Sequence, residues 1–143
     1  MKILATILLG LVSTFLNSQI IEVKIEKWSK YSHPKTMTLH VAMISDSVET
    51  LYTKTGMGNY TINFDTQEIV MVGYQNEIKV SKIVKMIPTK SLVNVDAEFE
   101  GKYYNFVVSE NIDGKMSLII QNFEKEGNNS VGFYCNDAKV SIK

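Results

Sequence analysis

The strongest constraint on the fold is an alternation of apolar and polar side chains with a period of two, which begins at residue 20. In residues 21–26, isoleucine and valine alternate with glutamate and lysine, and residues 36–43 and 60–64 show the same period. Successive side chains of a β-strand point to opposite faces of the sheet. The pattern therefore predicts strands with one buried face and one solvated face.

Seven further segments rich in β-branched or aromatic residues follow. They are residues 68–74, 77–86, 92–100, 102–109, 115–123, 130–135 and 138–142. Most are separated by short sequences rich in Asn, Asp or Gly, which are typical turn residues. Short connections favour hairpins, so we expect strands adjacent in sequence to be adjacent in the sheet, as in a meander.

One segment fits two kinds of secondary structure. Residues 46–49 have the form of a helix capping box, and Gly56 could end a short helix that contains Leu51 and Tyr52. Residues 48–52 also alternate, and the threonines at positions 53 and 55 favour extended chain. We favour a strand for this segment.

About nine or ten short strands without a long helix predict an all-β fold, either a single antiparallel barrel of the meander type or a two-sheet β-sandwich. We favour the barrel because only residues 27–35 and 86–91 are long enough for the crossings of a sandwich. The strand count and domain size resemble the layout of the lipocalin and fatty-acid-binding-protein superfamily, whose barrels hold ligands. The Gly-x-Trp sequence of those families is not present, since Glu26 stands two residues before Trp28. We therefore assign no family.

Residues 1–18 have the pattern of a secretory signal peptide: Lys2, then an apolar stretch, then small polar residues. The stretch is shorter than the roughly 20 residues of a membrane-spanning helix. We therefore expect an exported protein, periplasmic or extracellular, with a single all-β domain over residues 19–143. The lysines and glutamates within the alternating segments argue against insertion of the mature chain into a membrane.

Charge composition argues against nucleic acid as a partner. The chain has 15 basic and 15 acidic residues, and every basic residue is a lysine. A balanced charge gives no electrostatic footprint for a polyanion. Without arginine, bidentate binding of phosphate or carboxylate is disfavoured.

The residues that most often carry catalysis or bind metals are few. The two histidines, His33 and His40, lack the spacing of a metal-ligand pair, and Cys135 is the only cysteine. We therefore predict no metal site and no cofactor, and a buried core position for Cys135. The alternative is that Cys135 is a reactive thiol or forms an intermolecular disulfide.

One acidic series could serve a hydrolase. Asp96, Glu98 and Glu100 fall on one face of a predicted strand, at a spacing open to carboxylate catalysis or to calcium. The same alternation is expected of any half-buried strand, so we favour a solvated face and predict that the protein is not an enzyme.

Aromatic side chains are the remaining feature. The adjacent Tyr103 and Tyr104 must point to opposite faces of their strand. If the barrel is hollow, we predict that Phe64, Tyr104 and Phe106 line it and bind the ligand. The first functional hypothesis is therefore an exported binding protein for a small apolar ligand. The alternative is a structural or protein-interaction module of the cell envelope.

Overall fold

The computed structural model describes residues 19–73, 77–126 and 129–143. Eight antiparallel strands follow one another in sequence order around a closed barrel, and the last strand pairs with the first. The strands are β1 (Ile20–Pro34), β2 (Glu49–Asn63), β3 (Glu68–Val72), β4 (Ile78–Met86), β5 (Val93–Phe99), β6 (Lys102–Glu110), β7 (Met116–Glu126) and β8 (Asn129–Ile142). The predicted all-β meander barrel is confirmed, and the sandwich is not observed.

The barrel has eight strands rather than about nine or ten because two strands are longer than the sequence pattern indicates. The predicted segments 48–55 and 60–64 form the single strand β2, and 130–135 and 138–142 form the single strand β8. Residues 27–35, which could have been a crossing, belong almost entirely to β1. The preference for a strand at residues 48–55 is confirmed from Glu49 onward.

The strand predicted at residues 36–43 is wrong. A short helix, α1 (Leu39–Ile44), occupies most of it, and the Thr38 side chain caps the helix by accepting a hydrogen bond of 3.2 Å from the Val41 amide. Leu39 and Ala42, three positions apart, are fully buried, whereas Val41 is 50 % exposed. The residues thus satisfy a helical period that the alternation concealed. In the described part of the chain, no helix is long and apolar enough to span a bilayer.

The helix lies against the sheet where a glycine admits it. A Cβ atom on Gly132 of β8 would lie 2.7 Å from Leu39 Cδ2 and 3.3 Å from the carbonyl oxygen of Ile120. Any larger residue would therefore collide with Leu39, and Leu39 is fully buried, so its side chain cannot move out into solvent. The lack of a side chain at position 132 is what allows α1 to cover this part of the barrel wall.

The hydrophobic core fills one end of the barrel. Ile21 of β1 pairs with Ile62 of β2, and Val93 of β5 pairs with Val108 of β6, and all four side chains are at most 2 % exposed. These positions lie near the β2–β3, β4–β5 and β6–β7 connections. The other end, at the β3–β4 and β5–β6 connections, is not filled in this way.

Candidate ligand cavity

The unfilled end of the barrel contains a cavity of about 740 Å³. Its volume lies within the roughly 300–1,000 Å³ typical of sites for small molecules. Residues from all eight strands contribute to its lining, so its shape depends on closure of the barrel. The lining includes Ile25, Trp28, Tyr52, Lys54, Tyr60, Glu77, Lys79, Ser81, Phe99, Lys102, Tyr103, Tyr104, Leu118, Ile120, Phe133 and Cys135.

The floor of the cavity is largely apolar. Ile25, Leu118 and Cys135 reach it and are at most 6 % exposed. The Tyr60 ring lies above Phe106, with the two ring centroids 5.3 Å apart. Phe106 itself is fully buried, so it belongs to the core beneath the floor.

The upper wall is an aromatic cluster around Trp28, the only tryptophan of the chain. Its ring meets Tyr52 at 5.7 Å and Phe133 at 5.3 Å between centroids, both in edge-to-face geometry. In a regular strand, Ile25 and Trp28 would point to opposite faces, because they are three positions apart. A shift in the β1–β2 pairing between Ile25 and Lys27 brings both side chains to the cavity.

The polar groups at the floor are neutral. Burial raises the pKa of the Tyr60 phenol well above its usual range. Burial also raises the pKa of Tyr104, against the smaller effect of a hydrogen bond with Ser81. The pKa of the Cys135 thiol is likewise raised by burial. At neutral pH the floor therefore presents hydroxyl and thiol groups without charge.

Lysines mark the opening. Of the residues described there, Lys54, Lys79 and Lys102 line it together with one acid, Glu77. Lys54 Nζ lies 5.1 Å from the centroid of the Tyr52 ring, and Lys79 Nζ lies 5.9 Å from that of Phe99. The aliphatic stems thus extend the apolar wall while the ammonium groups stay near water.

The structure separates the three residues predicted to bind a ligand. Tyr104 lines the cavity, whereas Phe106 lies in the core and Phe64, 7 % exposed, is also in the core and does not reach the lining. Ligand contact by any of them stays a prediction. Sequence reasoning missed Trp28 and Phe133, because the pairing shift that turns Trp28 inward leaves no clear signal in the sequence.

The acidic series of β5 lies away from the cavity. Neither Asp96 nor Glu98 lines it, and Glu100 falls in the following turn. Asp96 Oδ1 instead accepts a hydrogen bond of 3.1 Å from the Asn105 amide on β6. In the described part of the chain, no three side chains of the His, Cys, Asp or Glu type are grouped as metal ligands would be.

The fold and cavity together define a class of protein: an eight-stranded antiparallel meander barrel with a core at one end and an open, aromatic-lined cavity at the other. Comparison of the chain with protein-family models, curated proteins and solved structures gave no match. Function is therefore argued from the site alone.

Proposed function

We propose that this protein is an exported, non-catalytic binding protein that holds a small apolar ligand in the barrel cavity. The observation that carries the proposal is the 740 Å³ cavity with an apolar floor and an aromatic wall. A barrel filled by its own side chains would favour an interaction module instead. The proposed export depends on residues 1–18, which lie outside the described residues.

A binding role fits the chemistry of the lining better than catalysis does. The buried phenols and the thiol have raised pKa values, so they are poor bases and poor nucleophiles at neutral pH. The carboxylates that a hydrolase would use, Asp96, Glu98 and Glu100, do not line the cavity. A hydrolase centred on them would need a second site elsewhere on the barrel surface.

The proposal is tested with N-phenyl-naphthylamine, a neutral apolar fluorophore. We expect one molecule to bind per chain with a rise in its emission. The variant Ile120→Trp replaces an aliphatic side chain of the lining with a bulky indole ring and should weaken binding strongly. Val84→Trp is the matched control, because Val84 is 46 % exposed and does not line the cavity. No binding by the parent protein, or equal binding by both variants, would contradict the proposal.

A second candidate function has its own observation. β2 pairs with β1 along most of its length but with β3 only through Asn59–Asn63. In the described part of the chain, the β2 edge before residue 59 has no partner strand on that side. Leu51 and Met57 on this segment are 45 % and 61 % exposed. Such an edge can add a strand from another protein.

The edge hypothesis is tested by sedimentation over a range of protein concentrations. If the edge mediates association between copies, the parent protein forms dimers, and Leu51→Lys removes them because a charge opposes strand pairing there. The control Lys90→Glu changes a charge in the β4–β5 loop, at the other end of the barrel. A monomer at all concentrations contradicts self-association through this edge.

A further inference from the structure

Among the residues that the structure describes, the rim of the cavity has more lysines than carboxylates. Lys54, Lys79 and Lys102 belong to this part of the lining, together with one acidic residue, Glu77. The chain as a whole has 15 bases and 15 acids, so this excess is a local property of the site. The excess of lysine indicates that the ligand carries a negative charge.

Lys79 and Lys54 differ in the groups that they contact. Lys79 Nζ lies 3.6 Å from Glu77 Oε1, and both side chains are substantially solvated. Lys54 lies over Tyr52, and among the side chains that the structure describes no carboxylate is within ion-pair distance of it. Lys54 is therefore available to a ligand, and Lys79 can exchange its exposed partner for one.

The floor of the cavity is a less favourable place than the rim for a negatively charged group of the ligand. Its polar groups are the neutral Tyr60 and Tyr104 phenols and the Ser81 hydroxyl, and the lining places its lysines at the opening. An anion buried at the floor would lose its hydration without meeting a cation, at a cost of several kcal/mol. A charged head at the rim with an apolar body below satisfies both regions.

We propose that the ligand is an amphipathic anion, a long apolar body with one acidic head group, held with its head at Lys54 and Lys79 and its body against Trp28, Tyr60 and Leu118. This inference rests on the proposed function, because it names the class of ligand for the same cavity. Lysine offers a point charge without the planar fork of arginine. The charge of the head group therefore decides affinity more than its geometry does.

Three probes with the same alkyl chain test the proposal: dodecanoate, dodecanol and dodecyltrimethylammonium. Each is measured by displacement of bound N-phenyl-naphthylamine and by the emission of Trp28. We expect dodecanoate to bind about fivefold more tightly than dodecanol. The cationic probe should bind most weakly. Added salt should reduce the advantage of dodecanoate and leave dodecanol unchanged.

Rim variants assign the effect to the lysines. Lys54→Glu combined with Lys79→Glu should abolish the preference for dodecanoate over dodecanol, measured as the ratio of the two affinities in the same variant. Lys85→Glu combined with Lys90→Glu is the matched control, because these lysines are exposed and outside the cavity lining. The control should behave as the parent protein does.

The outcomes separate this inference from the proposed function. Equal binding of dodecanoate and dodecanol overturns the inference and leaves an apolar binding site. A preference for dodecanoate that survives in the rim variant also overturns it, because the head group would then lie elsewhere. Failure of all three probes and of the fluorophore overturns the proposed function, and this inference with it.

Discussion

Trp28 of β1 meets Phe133 of β8 edge to face, with the ring centroids 5.3 Å apart and the ring planes inclined at 63°. These are the first and last strands of the barrel, so the contact joins the two sides of the seam where the sheet closes. The same pair forms part of the cavity wall. One contact therefore serves both closure of the barrel and the shape of the site.

Replacement of Phe133 by leucine should lower the free energy of unfolding by about 1 kcal/mol, because an apolar side chain remains but the edge-to-face contact is lost. Urea unfolding followed by Trp28 emission measures the change. Tyr103→Leu is the control, since Tyr103 is 49 % exposed. Equal losses in the two variants would mean that the ring geometry contributes nothing specific.

Gly132→Ala should destabilise the protein by about 1–3 kcal/mol through overpacking against Leu39. In a Leu39→Ala background the new methyl group has room, so the second substitution should cost much less there. A double-mutant cycle gives the coupling between positions 39 and 132. Additive losses would show that α1 does not rest on Gly132 as the 2.7 Å approach implies.

Alkaline pH should destabilise the protein through Tyr60. The folded state raises the pKa of this phenol above its ordinary value of 10.0, so the unfolded chain releases the proton first. The contribution to stability is therefore complete below pH 10.0 and is lost as the pH rises above it. Thermal unfolding over this range should show a smaller loss for Tyr60→Phe than for the parent protein.

The surface substitution Tyr103→Phe makes the same chemical change at an exposed position and serves as the control for Tyr60→Phe. It should leave the alkaline loss as it is in the parent protein. If Tyr60→Phe loses stability with rising pH as steeply as the parent protein and Tyr103→Phe do, the phenol at the cavity floor is not the group responsible.

Cys135 should react slowly with iodoacetamide in the folded protein. Burial raises the pKa of the thiol, so less thiolate is present at neutral pH than in the unfolded chain. Only 3 % of the residue is exposed, which also limits access. We expect alkylation about tenfold slower than in urea, measured by mass spectrometry of the intact protein. A native rate equal to the unfolded rate would indicate an open, reactive thiol instead.

Much of the fold follows from local pattern. The sequence predicts β3 to β7 close to their observed positions, because each is a segment rich in β-branched or aromatic residues between short connections. The strand prediction for residues 36–43 was wrong for a physical reason. Leu39 and Ala42 are three positions apart, so the segment can bury one face as a helix although its sequence also alternates as a strand does. The capping hydrogen bond of Thr38 favours the helix, but Thr38 also fits the strand pattern.

The cavity was harder to predict than the fold. Strand parity separates Tyr103 from Tyr104 without saying which of them faces the interior, and both residues contribute to the cavity lining. Parity fails after the pairing shift in β1, so Trp28 could not be placed by counting. The choice between a core and a hollow at Phe64 and Phe106 depends on how all eight strands close, which is a tertiary property.

Closure of the barrel has a consequence for the order of assembly. Ile21 of β1 pairs with Ile142 of β8, so the two partners are separated by almost the whole domain. While the chain is being synthesised, the first strand keeps an open edge until the last strand has emerged. Nascent and truncated chains therefore share the same exposed backbone, and the interval before the eighth strand docks is when aggregation competes most strongly with folding.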